Sequence, residues 1–227
     1  VDMKIECILP EDIDKLIQKY QPDIIGVSAL SFEAYASHNL AKKVKETHPH
    51  IITVIGGPYA LKNSASILED NNIDWVFEGP ADRSFAQAIR LLAEGGSVED
   101  AGILGLSYRR QNGDVEITTK QDHIDDLDSL PYPAWDLINF DRYADANNMA
   151  VNLRGKRYAL LFTSRGCPYL CNYCHDIFTK KYVYHSVDYV INEIERLYTQ
   201  YGVDEFQIVD DIFNLHKPRL KAIMGEV

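Results

Sequence analysis

Short apolar runs alternate with amphipathic segments from Val1 to about Gly95. The apolar runs are almost continuous, as expected for parallel strands that are covered on both faces. In the segment Asp82–Ala93, apolar residues recur at intervals of three and four positions, which predicts a helix with one buried face. The same reasoning predicts strands at Met3–Leu9, Ile24–Ser28, Ile51–Ile55 and Trp75–Phe77, and further helices at Glu11–Tyr20, Glu33–Glu46 and Ser64–Asp70.

This alternation predicts an α/β fold, with a Rossmann-like doubly wound parallel sheet in residues 1–119. Two extended runs between Ile103 and Thr119 surround Asn112-Gly113, a dipeptide typical of hairpin turns. Ligands of doubly wound sheets bind beyond the carboxyl ends of the strands. The candidate ligand-binding loops are therefore Ser28–Glu33, Gly56–Leu61 and Glu78–Asp82.

A second βαβ domain is predicted to begin after an interdomain linker. The linker, residues 120–157, contains an acidic run and two prolines, and residues 158–227 begin the second domain. Ser186 is placed to cap a helix at its N-terminus, and Gly202 lies where that helix should end. The elements predicted here are a buried strand at Tyr158–Thr163, a helix at about Ser186–Gln200 and a strand at about Glu205–Val209.

Composition and charge narrow the class of protein. The 227 residues are 46% hydrophobic and 25% charged, as in ordinary globular proteins. No apolar run approaches the roughly 18 residues of a membrane span, and no signal peptide is visible, so a cytoplasmic location is expected. The net charge of −11 argues against a nucleic-acid partner. Because the chain starts at Val1 and stops where a helix begins, it is expected to be an excerpt that is inactive alone.

Three of the four cysteines, Cys167, Cys171 and Cys174, fall within eight residues, directly after a predicted buried strand. Iron–sulfur clusters are usually held by four thiolates, so three would leave one iron open to another ligand. Zinc is the main alternative, because His175 would complete a Cys3His set. Buried or incidental cysteines without metal are the third reading. The isolated Cys7 is expected to be a small core residue.

The string from Thr163 to Cys174 resembles the C-x3-C-x2-C motif of radical S-adenosylmethionine (SAM) enzymes, with an aromatic residue just before the last cysteine. The motifs Gly56-Gly57-Pro58, Leu127–Pro131 and Pro133–Asp136 resemble the cobalamin-binding domain and connecting segment of the cobalamin-dependent radical SAM family. The resemblance covers almost the whole chain. It implies a cobalamin-type Rossmann-like sheet whose first strand precedes Val1, followed by the start of a partial TIM-type radical SAM barrel.

The resemblance assigns roles to the residues of the cysteine loop. Cys167, Cys171 and Cys174 would bind a 4Fe-4S cluster whose remaining iron chelates SAM, and Arg165 and Gly166 would orient the loop. Tyr173 would pack near the adenine of SAM. Asp210 and Asp211 occupy a position where the family often contacts SAM, although solvated or helix-capping carboxylates are the alternative.

The resemblance also implies cobalamin contacts at the ends of the first strands. Small residues leave room where backbone approaches the nucleotide tail of the cofactor, and serine hydroxyls would donate to it. Such residues also end strands in any Rossmann sheet, and the segment from Glu78 to Asp82 departs from the Gly-Glu-Gly-Glu run of the family. The candidate contacts are Ser28, Ser31, Gly56, Gly57, Pro58, Glu78 and Gly79.

The remaining histidines, a helical glutamate and three aromatic residues are expected to have structural rather than cofactor-binding roles. No D-x-H-x-x-G motif is present to supply a histidine to cobalt, and His38, His48 and His50 are expected at the surface. Glu193 is expected on a solvated helix face. The aromatic residues Tyr132, Trp135 and Tyr143 are expected to hold the domains together.

The resemblance implies reductive cleavage of SAM to a 5′-deoxyadenosyl radical, with methyl transfer to an unactivated carbon of a small-molecule substrate as the leading reaction. The electron would come from an external donor of the flavodoxin or ferredoxin type. A radical SAM cyclase or rearrangement enzyme without methyl transfer is the second reading. A cobalamin- or zinc-binding module without catalysis is the third.

Overall fold

The structure of the protein is a computed structural model that describes residues 2–3, 6–99, 101–118, 122–144, 157–174, 178 and 180–226. By their contacts the residues form two compact units, one of Leu9–His123 and one of Val1–Ile8 with Ile124–Val227. The described residues from 124 to 144, within the predicted linker, therefore belong to the unit that carries the cysteines. No helix in the described part of the chain is both long enough and apolar enough to cross a membrane.

The unit of Leu9–His123 contains a five-stranded sheet in the order β1-β2-β3-β4-β5. The first three strands are parallel, and the last two are antiparallel, so the predicted hairpin around Asn112-Gly113 is confirmed. Ser28 lies opposite Gly56 in the parallel register. The strands are β1 Ile24–Ser28, β2 Ile52–Gly56, β3 Trp75–Phe77, β4 Leu106–Arg109 and β5 Val115–Glu116.

Helices alternate with the parallel strands at nearly the predicted positions. Asp82–Ala93 matches its prediction at both ends, whereas the helix expected to begin at Glu11 starts with a short 3-10 turn. The α-helices are α1 Ile13–Tyr20, α2 Ala34–Thr47, α3 Ser64–Ile67 and α4 Asp82–Ala93, and the 3-10 helices are Pro10–Asp12, Ser31–Glu33 and Pro58–Ala60.

Both faces of the sheet are covered, as the doubly wound prediction requires. Val54 of β2 packs in one apolar cluster with Ala88 of α4, while the next residue, Ile55, packs in a second cluster with Ala41 of α2 and Ile67 of α3. Because successive side chains of a strand point to opposite faces, this division places helices on both sides. The Rossmann-like α/β architecture is therefore confirmed.

The predicted strand Met3–Leu9 is wrong in its described residues, which form turns. The amide of Ile8 donates to the carbonyl of Met3 at 2.9 Å, and Cys7 adopts a left-handed conformation at φ 52°. A strand needs a neighbour for its backbone hydrogen bonds, and this segment pairs with no strand in the described part of the chain. Cys7 is exposed, so its expected place in a core is also wrong.

The second unit contains a βαβ arrangement in which β6 and β9 pair in parallel and α6 lies between them in sequence. Ala159 and Leu161 of β6 pack on Leu197 of α6. The elements are β6 Tyr158–Leu161, β7 Ser164–Arg165, β8 Val183–Tyr184, β9 Glu205–Ile208, α5 Phe140–Ala144, α6 Val187–Tyr201, α7 Lys217–Glu226 and the 3-10 helices Leu127–Ser129 and Trp135–Leu137.

Both predicted ends of α6 are confirmed. The Ser186 hydroxyl accepts a hydrogen bond from the Tyr189 amide at 3.1 Å, which satisfies a backbone donor of the first turn. Gly202 ends the helix at φ 64°, a left-handed conformation in which glycine meets no steric penalty. The sequence therefore marks both the beginning and the end of α6.

Glu193 of α6 is buried, with 6% of its surface exposed, so its expected solvated position is wrong. Its carboxylate accepts a hydrogen bond from the indole Nε1 of Trp135 at 3.1 Å. Burial raises the pKa of Glu193, although the hydrogen bond from Trp135 and the charge of Arg196 oppose the shift. Tyr132 packs against Tyr189 of the same helix with ring centroids 4.3 Å apart and the rings tilted by 32°.

The buried carboxyl group of Glu193 should make stability depend on pH. Between its ordinary pKa and its raised pKa in the folded state, the folded protein binds more protons than the unfolded chain, so the free energy of unfolding falls as pH rises. Glu193→Gln keeps an acceptor for Trp135 without the charge. We expect this variant to unfold at a higher temperature than the parent at neutral pH, with the difference vanishing in acid. A difference that is the same at every pH would contradict this assignment.

Candidate functional site

The segment that carries the cysteines is closed at its base by a short antiparallel ladder. Ser164 and Arg165 of β7 pair with Tyr184 and Val183 of β8, so the segment leaves and returns beyond the carboxyl end of β6. Gly166 follows directly with φ 83°, a left-handed conformation that a glycine adopts without strain. This places the cysteines where ligands bind in folds built from βαβ units.

The three cysteines are free thiols on an open turn. Cys171 and Cys174 are exposed, and the amide of Cys174 donates to the carbonyl of Cys171 at 3.1 Å. In the described part of the chain, which includes all three cysteines, no three ligating side chains converge on one point. His175, the candidate fourth ligand of a zinc site, lies outside the described residues.

The chemistry of this donor set nevertheless fits an iron–sulfur cluster. Thiolates are the ligands of such clusters, and metal sites commonly form only as the metal binds. Because Cys171 and Cys174 are exposed, their thiols can move to a cluster without unfolding the strands beneath them. Cys167, Cys171 and Cys174 are therefore the residues that would hold it.

Asp210, just after β9, anchors the start of this segment. One carboxylate oxygen accepts from the amides of Thr163 and Ser164 at 2.6 and 3.0 Å. The other oxygen accepts from the hydroxyls of the same two residues at 2.6 and 2.7 Å. Four hydrogen bonds to one carboxylate fix the backbone between β6 and β7.

The residues predicted to contact SAM thus differ in their surroundings. Asp210 has both carboxylate oxygens engaged by hydrogen bonds to Thr163 and Ser164. Asp211 is exposed at the same strand end, and Tyr173 is 92% exposed. Sequence reasoning missed Thr163 and Ser164, because nothing local marks a contact with a residue more than forty positions away.

The parallel register brings the candidate cobalamin contacts to one edge of the sheet in the first unit. Ser28 ends β1 and Gly56 ends β2 beside it. The amide of Ala29 donates to the carbonyl of Gly56 at 3.1 Å, and the carbonyl of Ala29 accepts from the amide of Tyr59 at 2.9 Å. Backbone hydrogen bonds therefore join the chain after β1 to the end of β2 and the loop that follows it.

The two adjacent glycines have different roles. A β-carbon on Gly57 would lie 2.7 Å from the Ser28 hydroxyl and 2.9 Å from the Ala29 amide nitrogen, and φ is 79°. Gly57 is therefore required by the protein's own chain, a reason the sequence could not show. A β-carbon on Gly56 would meet nothing closer than 3.9 Å. A β-carbon on Gly56 would therefore enter open space.

The remaining candidates at this edge are also placed by local structure. Pro58 begins the 3-10 helix after β2, and Ser31, which is exposed, begins the one after β1. Glu78 follows β3, and its carboxylate accepts from the Ser64 hydroxyl at 2.9 Å. Gly79 has φ 80°. All seven candidates therefore lie at the carboxyl ends of β1 and β2 or in the loops that follow β1, β2 and β3.

His38 is partly buried rather than simply at the surface. Its Nδ1 lies 2.7 Å from a carboxylate oxygen of Asp70, and its Nε2 lies 3.0 Å from the Tyr59 hydroxyl. Both ring nitrogens are therefore engaged within the protein. A cobalt ion would have to displace one of these partners, so His38 is not positioned as a cobalt ligand.

Asp128 shows why the Leu127–Pro131 motif matters to the second unit. Its carboxylate lies 2.9 Å from Nδ1 of His185 and accepts from the Ser186 amide at 3.1 Å. Burial opposes ionisation of Asp128, but the hydrogen bonds from Ser186 and His185 outweigh it and lower the pKa. This carboxylate holds the segment next to the N-terminus of α6 and the end of β8.

The chain was compared with family models and with known proteins, and both kinds of comparison found matches. Residues 1–89 match the family model of the B12 binding domain. The chain is 34% identical over 223 residues to the uncharacterized methyltransferase PH0819 of Pyrococcus horikoshii, covering 96% of this chain and 46% of that protein. It is 26% identical over 230 residues to the anaerobic magnesium-protoporphyrin IX monomethyl ester cyclase of Rubrivivax gelatinosus, covering 100% of this chain and 40% of the cyclase.

A solved structure shows the same fold. The cobalamin-dependent S-adenosylmethionine radical enzyme OxsB, with aqua-cobalamin and S-adenosylmethionine bound, superposes with a TM-score of 0.77 over 100% of this chain and 31% of its own, at 17% identity. The chain spans less than half the length of the two curated relatives. In its sheet, its cysteine motif after β6 and its relatives, the chain is therefore similar to the cobalamin-dependent radical SAM enzymes.

Proposed function

We propose that this chain supplies the cobalamin-binding domain and the cluster-bearing start of the radical SAM barrel in an enzyme that cleaves SAM reductively. The observation that carries the proposal is the combination of two sites in one chain. The sheet ends in loops of the cobalamin-binding type, with open space beside Gly56 at the end of β2. A segment with three free thiols is anchored at the carboxyl end of β6.

In this proposal the protein residues bind and orient the reactants. Cys167, Cys171 and Cys174 would hold the cluster, which when bound supplies the electron that cleaves the sulfonium of SAM. Tyr173 and Asp211 would contact SAM, and Asp210 would fix the backbone beneath it. The electron enters from an external donor of the flavodoxin or ferredoxin type.

Bound cobalamin would supply a methyl group for transfer to an unactivated carbon of a small-molecule substrate. Ser28, Ser31 and the loops after β2 and β3 would surround the nucleotide tail of the cofactor. Methyltransferases among the relatives favour this reading. A cyclase or rearrangement reaction is the second candidate, and the similarity to the Rubrivivax cyclase supports it.

Product analysis separates these reactions. The complete polypeptide, reconstituted with iron, sulfide and cobalamin, should form 5′-deoxyadenosine from SAM under reducing conditions. Methyl transfer additionally predicts S-adenosylhomocysteine, because a second SAM must donate the methyl group. 5′-Deoxyadenosine alone, with substrate and cobalamin present, would favour the cyclase. Neither product from a protein that contains its cluster would leave only a binding role.

A further inference from the structure

One buried side chain ties together both ends of the segment that carries the cysteines. Arg219 of α7 is 4% exposed, and its Nη2 donates to the carbonyl of Thr163 at 2.8 Å. Its Nε donates to the carbonyl of His185 at 2.8 Å. Thr163 immediately precedes β7, and His185 immediately follows β8. A single guanidinium group therefore bridges the two strands at the base of the segment.

The same peptide is also held from its other side. The amide and hydroxyl of Thr163 donate to Asp210, each at 2.6 Å, while its carbonyl accepts from Arg219 and from the amide of His185 at 3.0 Å. The guanidinium also lies 5.2 Å from the ring centroid of Tyr184 in β8. The amide, hydroxyl and carbonyl of Thr163 are thus all engaged, by Asp210, His185 and Arg219.

The buried guanidinium of Arg219 is not explained by fold stability alone. Burial lowers the pKa of Arg219, and the nearby Asp210 is among the groups that oppose the shift. Buried charges often stabilise a fold no better than apolar residues of similar size. What an arginine does offer is a rigid planar group that can donate in two fixed directions, which a lysine cannot reproduce.

We propose that Arg219 is a positioning residue for the iron–sulfur cluster, acting with Asp210 to fix the two ends of the cysteine-bearing segment. The thiolates of Cys167, Cys171 and Cys174 then close on the cluster from a base of constant geometry. This inference rests on the proposed function, since it assigns Arg219 to the same site. No contact between Arg219 and SAM or iron is required.

Hydrogen–deuterium exchange of the metal-free protein tests whether Arg219 fixes the two ends of the cysteine-bearing segment. In Arg219→Met, amides of residues 163–165 and 183–185 should exchange about tenfold faster or more, because two charge-assisted hydrogen bonds are lost. Arg219→Lys should give an intermediate increase. Amides in the middle of α6 should stay protected, and Lys221→Met, an exposed charge loss on the same helix, should change nothing. Unchanged exchange at the loop base in both Arg219 variants would overturn the proposal.

The cluster provides the second readout. After anaerobic reconstitution, the reduced Arg219→Lys protein should show an electron paramagnetic resonance spectrum that differs from the parent in shape and in its response to SAM. Asp210→Asn should produce a similar change, and the double variant should add little, because both residues hold one peptide. Parent-like spectra in all three would refute the inference. A parent that takes up no iron would refute the proposed function. The exchange result would still decide whether Arg219 fixes the ends of the segment.

Discussion

Replacing Cys167, Cys171 or Cys174 by alanine is expected to prevent stable assembly of the cluster. The parent chain, reconstituted anaerobically, should bind about four irons and show broad charge-transfer absorption. Each alanine variant removes one of only three protein ligands, so iron content and absorption should fall almost to background. Iron analysis and visible spectroscopy measure both quantities. The absorption of the parent should also bleach in air, because exposed thiolate sites are sensitive to oxidants.

Cys7→Ala is the matched control for this experiment. It removes one thiol from an exposed turn outside the motif and should leave iron content unchanged. Circular dichroism should show that the motif variants keep the folded state, since Cys171 and Cys174 are exposed and support no core. Stoichiometric zinc without iron in the parent would contradict the cluster assignment and favour the zinc reading.

Gly56→Val is expected to weaken cobalamin binding by about tenfold to a hundredfold, the usual effect of adding methyl groups to a filled site. A β-carbon at this position meets only ordinary contacts in the protein, so the fold should tolerate valine at the end of a strand. The added methyl groups would instead occupy space that we assign to the cofactor. Titration of the full-length protein with cobalamin, followed by absorption or calorimetry, measures the effect.

Gly57→Ala gives the contrasting result. Its β-carbon would approach Ser28 and Ala29 at 2.7 to 3.0 Å, and its positive φ strains any side chain, so we expect a loss of about 1–3 kcal/mol in unfolding free energy. Full cobalamin affinity in Gly56→Val would remove that loop from the cofactor site. A destabilised Gly56→Val with an unaffected Gly57→Ala would reverse the roles we assign to the two glycines.

The elements that the sequence predicted well are those whose signal is local. Asp82–Ala93 shows the three- and four-residue spacing of a one-sided helix, and the apolar runs at β1, β2 and β3 show burial on both faces. Met3–Leu9 carries the same kind of apolar signal, yet it pairs with no strand in the described residues. Whether an apolar run becomes a strand depends on its neighbours, which a local pattern does not contain.

The site was predicted less completely, because much of it depends on contacts between distant residues. The cysteine spacing identified the candidate ligands, but Asp210 and Arg219 reach Thr163 from 47 and 56 residues away. Glu193 had a readable signal: it lies three residues after Val190 and four before Leu197, both buried on α6. Its charge outweighed this spacing in the prediction, although Trp135 supplies a partner that makes burial tolerable.

Metal analysis of one anaerobic preparation tests most directly whether the two sites serve one enzyme. The complete polypeptide, reconstituted with iron, sulfide and cobalamin and then freed of unbound cofactor, should retain about four irons per chain together with an equimolar amount of cobalt. The Cys171→Ala variant should lose the iron and keep the cobalt, because the sheet lies in the compact unit Leu9–His123 and the cysteines lie in the other unit. Cobalt without iron, or zinc in place of iron, in the unmutated protein would contradict the proposed function.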